Sequence, residues 1–161
     1  DDDSGLLSYE SATYAIDEAN YLFFGKSYNT DLDPDTRYIK MLGRKIYEFA
    51  LSNVPTAMKS CLDKSGLQIQ DVKKILIHQA NEKMDEAIVN RFYKLYDAKM
   101  PKDVMPMTIT NLGNSSVATV PTLLDMLING KIENQEIHKG DIMIFASVGA
   151  GMNINAFVYR Y

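Results

Sequence analysis

Apolar residues recur at three- and four-residue steps between Arg37 and Ser65. Ile46, Phe49, Ala50, Val54, Ala57, Met58, Cys61 and Leu62 form one stripe, which predicts a helix with one face on a core. Pro55 interrupts the stripe; it has no N–H to give, so it should kink or split the helix. Gly66 is a stop signal. The run Ile75-Leu76-Ile77 is short, branched and continuous, as in a strand covered on both faces. A second helix is expected over 82–97, with Met84, Ala87, Ile88, Arg91, Phe92 and Leu95 on one side. Asn81 is placed to cap it, and Glu82 and Asp85 suit the positive end of its dipole. MPMTIT at 105–110 reads as a strand and NLGNSS at 111–116 as a turn. A third helix runs through VATVPTLLDMLIN to Gly130, with Pro121 in its first turn or bending it. Strands at 142–148 and 153–160 flank GAGM, which implies a tight antiparallel pair. Ahead of all this, residues 5–13 are strand-like, and 17–36 read as a long, partly aromatic connection without a period.

The order is therefore β-α-β-α-β-α-β-β, a single domain over 1–161: a leader at 1–4, a first strand and connection at 5–36, and the main body at 37–161. Helices alternating with strands imply right-handed crossovers and an α/β fold. The expected sheet is five-stranded, mixed and mostly parallel, with helices on both faces. Functional groups in such sheets gather at the carboxyl ends of the strands. Composition adds exclusions. A net charge of -4 gives no basic face for phosphates. Apolar runs such as IMIFA at 142–146 are too short to span a bilayer. No signal for export is present. The lone cysteine, Cys61, cannot form an internal disulfide, which suits a cytoplasmic setting. The chain enters its first strand almost at once and has no initiator Met, as a piece of a longer protein would.

Few side chains can carry chemistry. His78 ends the strand ILI and precedes a helix, so it belongs to the carboxyl edge; an ordinary hydrogen-bonded strand-end histidine fits equally well. His138, in EIHKG, reads as a solvated loop residue. Asn114 lies in the turn Leu112-Gly113-Asn114-Ser115-Ser116, where it could cap a helix or aim its amide into a cleft. The small residues Gly149-Ala150-Gly151 could serve a bare hairpin or bring backbone N–H groups to a substrate oxygen. Cys61 falls on the apolar stripe, so a structural role outweighs a nucleophilic one. Gly113 and Ser115 begin a nucleophile elbow, but Val117 stands where its second glycine belongs. Metal, nucleotide and dinucleotide motifs are absent.

Three segments together narrow the choice: ILIHQAN (75–81), GNSSVATVPTLLD (113–125) and FASVGAGMNINAFVYR (145–160). Their order and spacing resemble the C-terminal half of the β-ketoacyl-acyl-carrier-protein synthase III family, among the thiolase-like condensing enzymes. YIKMLGRKIYEFALSNVPTAM at 38–58 is similar to the first helix of that half. The resemblance implies a duplicated fold of which this chain is one half, with the N-terminal half and its nucleophilic cysteine absent. It implies decarboxylative condensation of an acyl group, derived from acyl-CoA, with malonyl-acyl carrier protein to initiate fatty acid biosynthesis. His78 and Asn114 match the catalytic histidine and asparagine. Asn81, Ser116 and the Gly149, Ala150 and Gly151 backbone match substrate-binding positions. Lys83 stands where bacterial members often carry Arg for carrier-protein docking, and Arg91 and Lys94 could extend that basic face. Val148 replaces a common aromatic, and Leu112 a frequent His or aromatic. The resemblance implies no cofactor beyond the acyl-CoA and carrier-protein substrates, a homodimer when full length, and an isolated chain that is inactive. Another thiolase-like acyltransferase, or a non-catalytic module binding carrier protein or CoA, would share these residues.

Overall fold

A computed structural model of the chain describes residues 3–161. Strand β1 (Gly5–Thr13) is followed by a hairpin of β2 (Leu22–Lys26) and β3 (Arg37–Met41), then helix α1 (Gly43–Ser65) and strand β4 (Val72–Ile77). Helices α2 (Glu82–Lys94), α3 (Ile109–Leu112) and α4 (Thr119–Ile128) precede strands β5 (Ile142–Gly149) and β6 (Asn153–Arg160). The main sheet has the order β1-β6-β5-β4. β4 and β5 are parallel, while β6 runs antiparallel to both β5 and β1. Three strands thus share one direction, as the alternating helices require.

The expected fifth strand is present in place but not in pattern. Residues 104–108 lie along the open edge of β4, where the Ile75 N–H donates to the Val104 carbonyl at 2.7 Å. Pro106 has no N–H to continue a ladder. The Gln79 side chain takes over, donating to the Pro106 carbonyl at 2.9 Å and accepting from the Thr108 N–H at 2.9 Å. Residues 109–112 then turn into α3 instead of completing a strand.

Helix α1 starts at Gly43, not Arg37, because 37–41 pairs with 22–26 in the hairpin. The long connection expected over 17–36 holds the first strand of that hairpin. Nor does Pro55 split α1, which runs unbroken over 23 residues. Proline at 55 leaves the carbonyl of Leu51 without its helical donor. The Arg91 guanidinium, reaching over from α2, donates to that carbonyl at 2.9 Å. Gly66, at φ 74°, ends α1 in the left-handed conformation.

Alternation along β4 sorts the core into two layers. Ile75 and Ile77 face α1 and α2, and pack with Met58, Leu62, Ile88 and Phe92. Leu76 faces the other way, toward α4 and Leu123, Leu127, Met143 and Phe145. The α4 side is only partly covered: Leu124, Ile128, Phe157, Tyr159 and Tyr161 border an open apolar recess of about 340 Å³. No helix among the described residues is long and apolar enough to cross a membrane.

Candidate active site

The parallel ladder places the histidine. Beyond the last residue of β4, the His78 N–H still donates to the Ala146 carbonyl at 3.0 Å. His78 is thereby fixed at the carboxyl edge of the sheet, beside the end of β5. Gln79, fully buried, is the clamp behind it. Its Oε1 accepts from the N–H groups of Thr108 and Ile109 at 2.9 and 3.0 Å and from the Thr108 hydroxyl at 3.2 Å. A buried amide with both its oxygen and its nitrogen engaged holds two chain segments in one register. Those segments carry His78 and lead to Asn114.

The turn that delivers Asn114 needs unusual backbone. Gly113 has φ 66° and ψ -165°, a conformation essentially reserved for glycine. Ser116 has φ 53°, which is strained for a residue with a Cβ. Its N–H donates to Asn114 Oδ1 at 2.9 Å. The Asn114 NH₂ has no protein partner among the described residues. The Ser116 backbone also lies close enough to the His78 ring to favour its charged form. One residue's main chain therefore holds the Asn114 side chain and neighbours the His78 ring.

His78 and Asn114 line the same cleft, of about 710 Å³, together with Ser116, Ser147, Gly149 and Ala150. They also line an adjoining apolar pouch of about 130 Å³. Burial pushes the His78 imidazole below its usual pKa, and the nearby Ser116 backbone opposes that shift in part. Desolvation disfavours the imidazolium, so the ring is neutral near pH 7. A neutral ring and a primary amide facing one cavity are two uncharged hydrogen-bond donors. Such a pair can stabilise an oxyanion.

The other sequence candidates separate. Gly149 and Ala150 line the cleft, whereas Gly151 is not among its lining residues. Gly151 has φ 74°, and a Cβ there would meet Asn153 Nδ2 at 2.8 Å, so it serves the turn. Asn81 caps α2, its side chain accepting from the Met84 N–H at 3.2 Å, and it borders neither cavity. Lys83 and Lys94 are exposed on α2, and Arg91 is engaged with the Leu51 carbonyl. His138 lies in an exposed loop between Glu136 and Asp141. Cys61 is fully buried; burial raises its thiol pKa, and its nearest polar neighbours are the Ser8 hydroxyl and the Ala156 carbonyl. Among the described residues, no cluster of His, Cys, Asp or Glu could hold a metal ion.

Sequence reading missed several residues of the site. Leu22, Ile39 and Met41 reach the cleft from the β2–β3 hairpin. The strand-forming pair Tyr38-Ile39 was the available signal, masked by the helix that follows. Gln79 lay in plain view within HQAN but carried no chemistry of its own. Asp85 also went unrecognised as a buried group. It is fully buried in α2, neither carboxylate oxygen has a hydrogen-bond partner of good geometry, and burial pushes its pKa up to about 7. The backbones of Asn81 and Ala80 pull that value down and Glu82 pushes it up.

Comparison with known proteins gives the family. Residues 62–161 match the family described as 3-Oxoacyl-[acyl-carrier-protein (ACP)] synthase III C terminal. The β-ketoacyl-[acyl-carrier-protein] synthase III of Lactobacillus helveticus is 32% identical over 164 residues, covering 99% of this chain and 47% of that protein. The enzyme of the same name from Porphyra umbilicalis is 34% identical over 130 residues, covering 80% of this chain and 37% of that one. The chain thus spans less than half the length of these relatives. Two solved synthase III structures share the fold over the whole chain. That of Thermus thermophilus has a TM-score of 0.82 at 23% identity, with 47% of it covered. That of Aquifex aeolicus has a TM-score of 0.82 at 22% identity, with 46% covered. With most of its length matched, the chain belongs to the 3-oxoacyl-[acyl-carrier-protein] synthase III family, as that family's C-terminal region.

Proposed function

We propose that this chain, as one domain, is the C-terminal half of a 3-oxoacyl-[acyl-carrier-protein] synthase III, and that His78 and Asn114 form its decarboxylation site. The observation that carries this reading is their shared cleft, with the Asn114 amide oxygen held by the Ser116 N–H. The acyl group, taken from acyl-CoA, waits as a thioester on a cysteine of the N-terminal half. Malonyl-acyl carrier protein then loses carbon dioxide. The electron pair of the broken C–C bond becomes an enolate with its charge on the thioester oxygen. The His78 ring N–H and the Asn114 amide donate to that oxygen. Each such donor contributes roughly 3 kcal/mol in the transition state. The enolate carbon attacks the acyl carbonyl, and the cysteine thiolate leaves. The backbone at Gly149 and Ala150 is available to the acyl oxygen.

Cys61 is no substitute for the missing thiol, because it is buried and its thiolate is disfavoured. The isolated chain should therefore be inactive. The N-terminal half is the natural cover for the open recess between α4 and the sheet. Lys83 and Lys94 give the acidic carrier protein an exposed basic face on α2. The family resemblance adds a homodimer working in the cytoplasm, with no cofactor beyond its substrates.

The test uses the full-length protein. Variants H78A and N114A are acylated with labelled acyl-CoA, and carbon dioxide release from malonyl-carrier protein is followed separately. Both should lose decarboxylation by about 100-fold or more while keeping most acylation. Normal decarboxylation in either variant removes that residue from the role.

A further inference from the structure

We propose that Ser147 and Asn155 hold the carboxylate of the malonyl extender until it leaves as carbon dioxide. The proposal deepens the function above and rests on it. The ladder registers put both residues in one row with His78. Leu76 pairs with Phe145 and Phe145 with Phe157, and the three side chains share the α4 face of the sheet. Side chains return to a face at every second residue. His78, Ser147 and Asn155 therefore form the next row on that face, at the carboxyl edge. Ser147 pairs with Asn155, and Asn155 with Ser11 of β1. His78, Ser147 and Asn155 all line the cleft of about 710 Å³.

What the row offers is donors with nothing to donate to. Ser11 Oγ donates to Asn155 Oδ1 at 2.9 Å. That bond fixes the amide and leaves its NH₂ without a protein partner among the described residues. The Ser147 hydroxyl has none there either. By contrast, the Asn153 NH₂ already donates to the Ala150 carbonyl at 2.7 Å. Connectivity says which group the free donors meet. His78 and Asn114 hold the extender's thioester oxygen. A carboxylate oxygen of the same extender is four bonds from it, a reach comparable to the spacing of neighbouring strands, about 4.8 Å. Ser147 stands one strand from His78, and Asn155, on a longer side chain, reaches over from the second. Their lack of charge suits the step. No Lys or Arg lines the cleft. The carboxylate's charge moves to the thioester oxygen as carbon dioxide departs. Every contact that stabilises the carboxylate is therefore weaker in the transition state and opposes the reaction. A cation would hold the charge in place most strongly. A hydroxyl and an amide orient the carboxylate while opposing its loss less.

The test uses the full-length protein with saturating acyl-CoA, and its variants S147A, N155A and N155D. Malonyl-carrier protein is the substrate. Acetyl-carrier protein, which lacks the carboxylate, is the competitor. S147A and N155A should each raise KM for malonyl-carrier protein at least fivefold and change kcat less than threefold. The inhibition constant of acetyl-carrier protein should stay within twofold. N155D keeps the shape but sets a carboxylate against the ligand's own, so its KM should rise further than that of N155A. S147A gives the answer if neither Asn155 variant folds. An unchanged KM in S147A and N155A, or equal changes in that KM and in the acetyl inhibition constant, overturns the carboxylate site. A matching loss of cysteine acylation overturns it too, and assigns the row to packing against the N-terminal half. If the unaltered protein releases no carbon dioxide from malonyl-carrier protein, the assigned reaction falls and the site with it.

Discussion

Asp85 should make the protein less stable as pH rises, and replacing it with Asn should remove that dependence. The carboxyl is fully buried and lacks a well-formed hydrogen bond. Burial raises its pKa from 3.8 to about 7. Below pH 4 both folded and unfolded chains carry the protonated acid, so no penalty exists. Between pH 4 and 7 the unfolded chain ionises while the folded one does not, so stability falls as pH rises through this window. Above about pH 7 the cost is complete. A shift of roughly three units corresponds to about 4 kcal/mol. D85N has nothing to titrate but keeps the shape. The assay is urea unfolding of both proteins from pH 4 to pH 8, with the difference in stability plotted against pH. That difference cancels His78 and every other shared group. It should move by about 4 kcal/mol in favour of D85N between the ends of the range. A difference that stays flat would mean that Asp85 is ionised in both states, and the burial argument would be wrong.

Three further outcomes follow from individual bonds. Gln79→Leu removes the clamp on Pro106, Thr108 and Ile109; it should cost about 2–4 kcal/mol by urea unfolding, and lower the decarboxylation rate more than the affinity for carrier protein. Arg91→Ala strips the donor from the Leu51 carbonyl and should cost about 1 kcal/mol; a role in docking would instead show as a raised KM for malonyl-carrier protein at unchanged stability. Ser116→Ala keeps the N–H that Asn114 accepts and should leave decarboxylation within about threefold, whereas Ser116→Pro removes that N–H and cannot reach φ 53°, so the rate should collapse. Equal damage from both would assign the work to the hydroxyl.

The parts of the fold legible in the sequence were those written by periodicity. The α1 stripe, the ILI strand and the β5–β6 pair each repeat one chemical type at one spacing, and each lies where that spacing puts it. What stayed hidden depended on partners distant in sequence. Residues 37–41 read as the start of a helix because nothing local reveals the mate at 22–26. Pro55 read as a helix breaker because its rescue comes from Arg91, 40 residues away from the carbonyl it serves. MPMTIT read as a strand because its composition is strand-like, yet Pro106 hands the pairing to the Gln79 side chain. The cleft residues divide in the same way. His78 and Asn114, named from motifs, line one cleft. The hairpin residues Leu22, Ile39 and Met41 reach the cleft only through tertiary structure.

One physical cause runs through the electrostatics of this edge. Desolvation is the largest influence on both His78 and Asp85. It drives the imidazole pKa down and the carboxyl pKa up, so both groups move toward their uncharged forms. For the imidazole this preserves a neutral N–H that can donate to an oxyanion without first holding a counter-ion. Met84 and Ile88, which flank Asp85 on α2, line the apolar pouch, so the helix that keeps water from the carboxyl also gives the site its dry wall. An oxyanion forming there meets donors that water does not compete for, and in that setting each hydrogen bond is worth more than in solvent. The residues that flank Asp85 on α2 thus also wall the pouch beside His78 and Asn114.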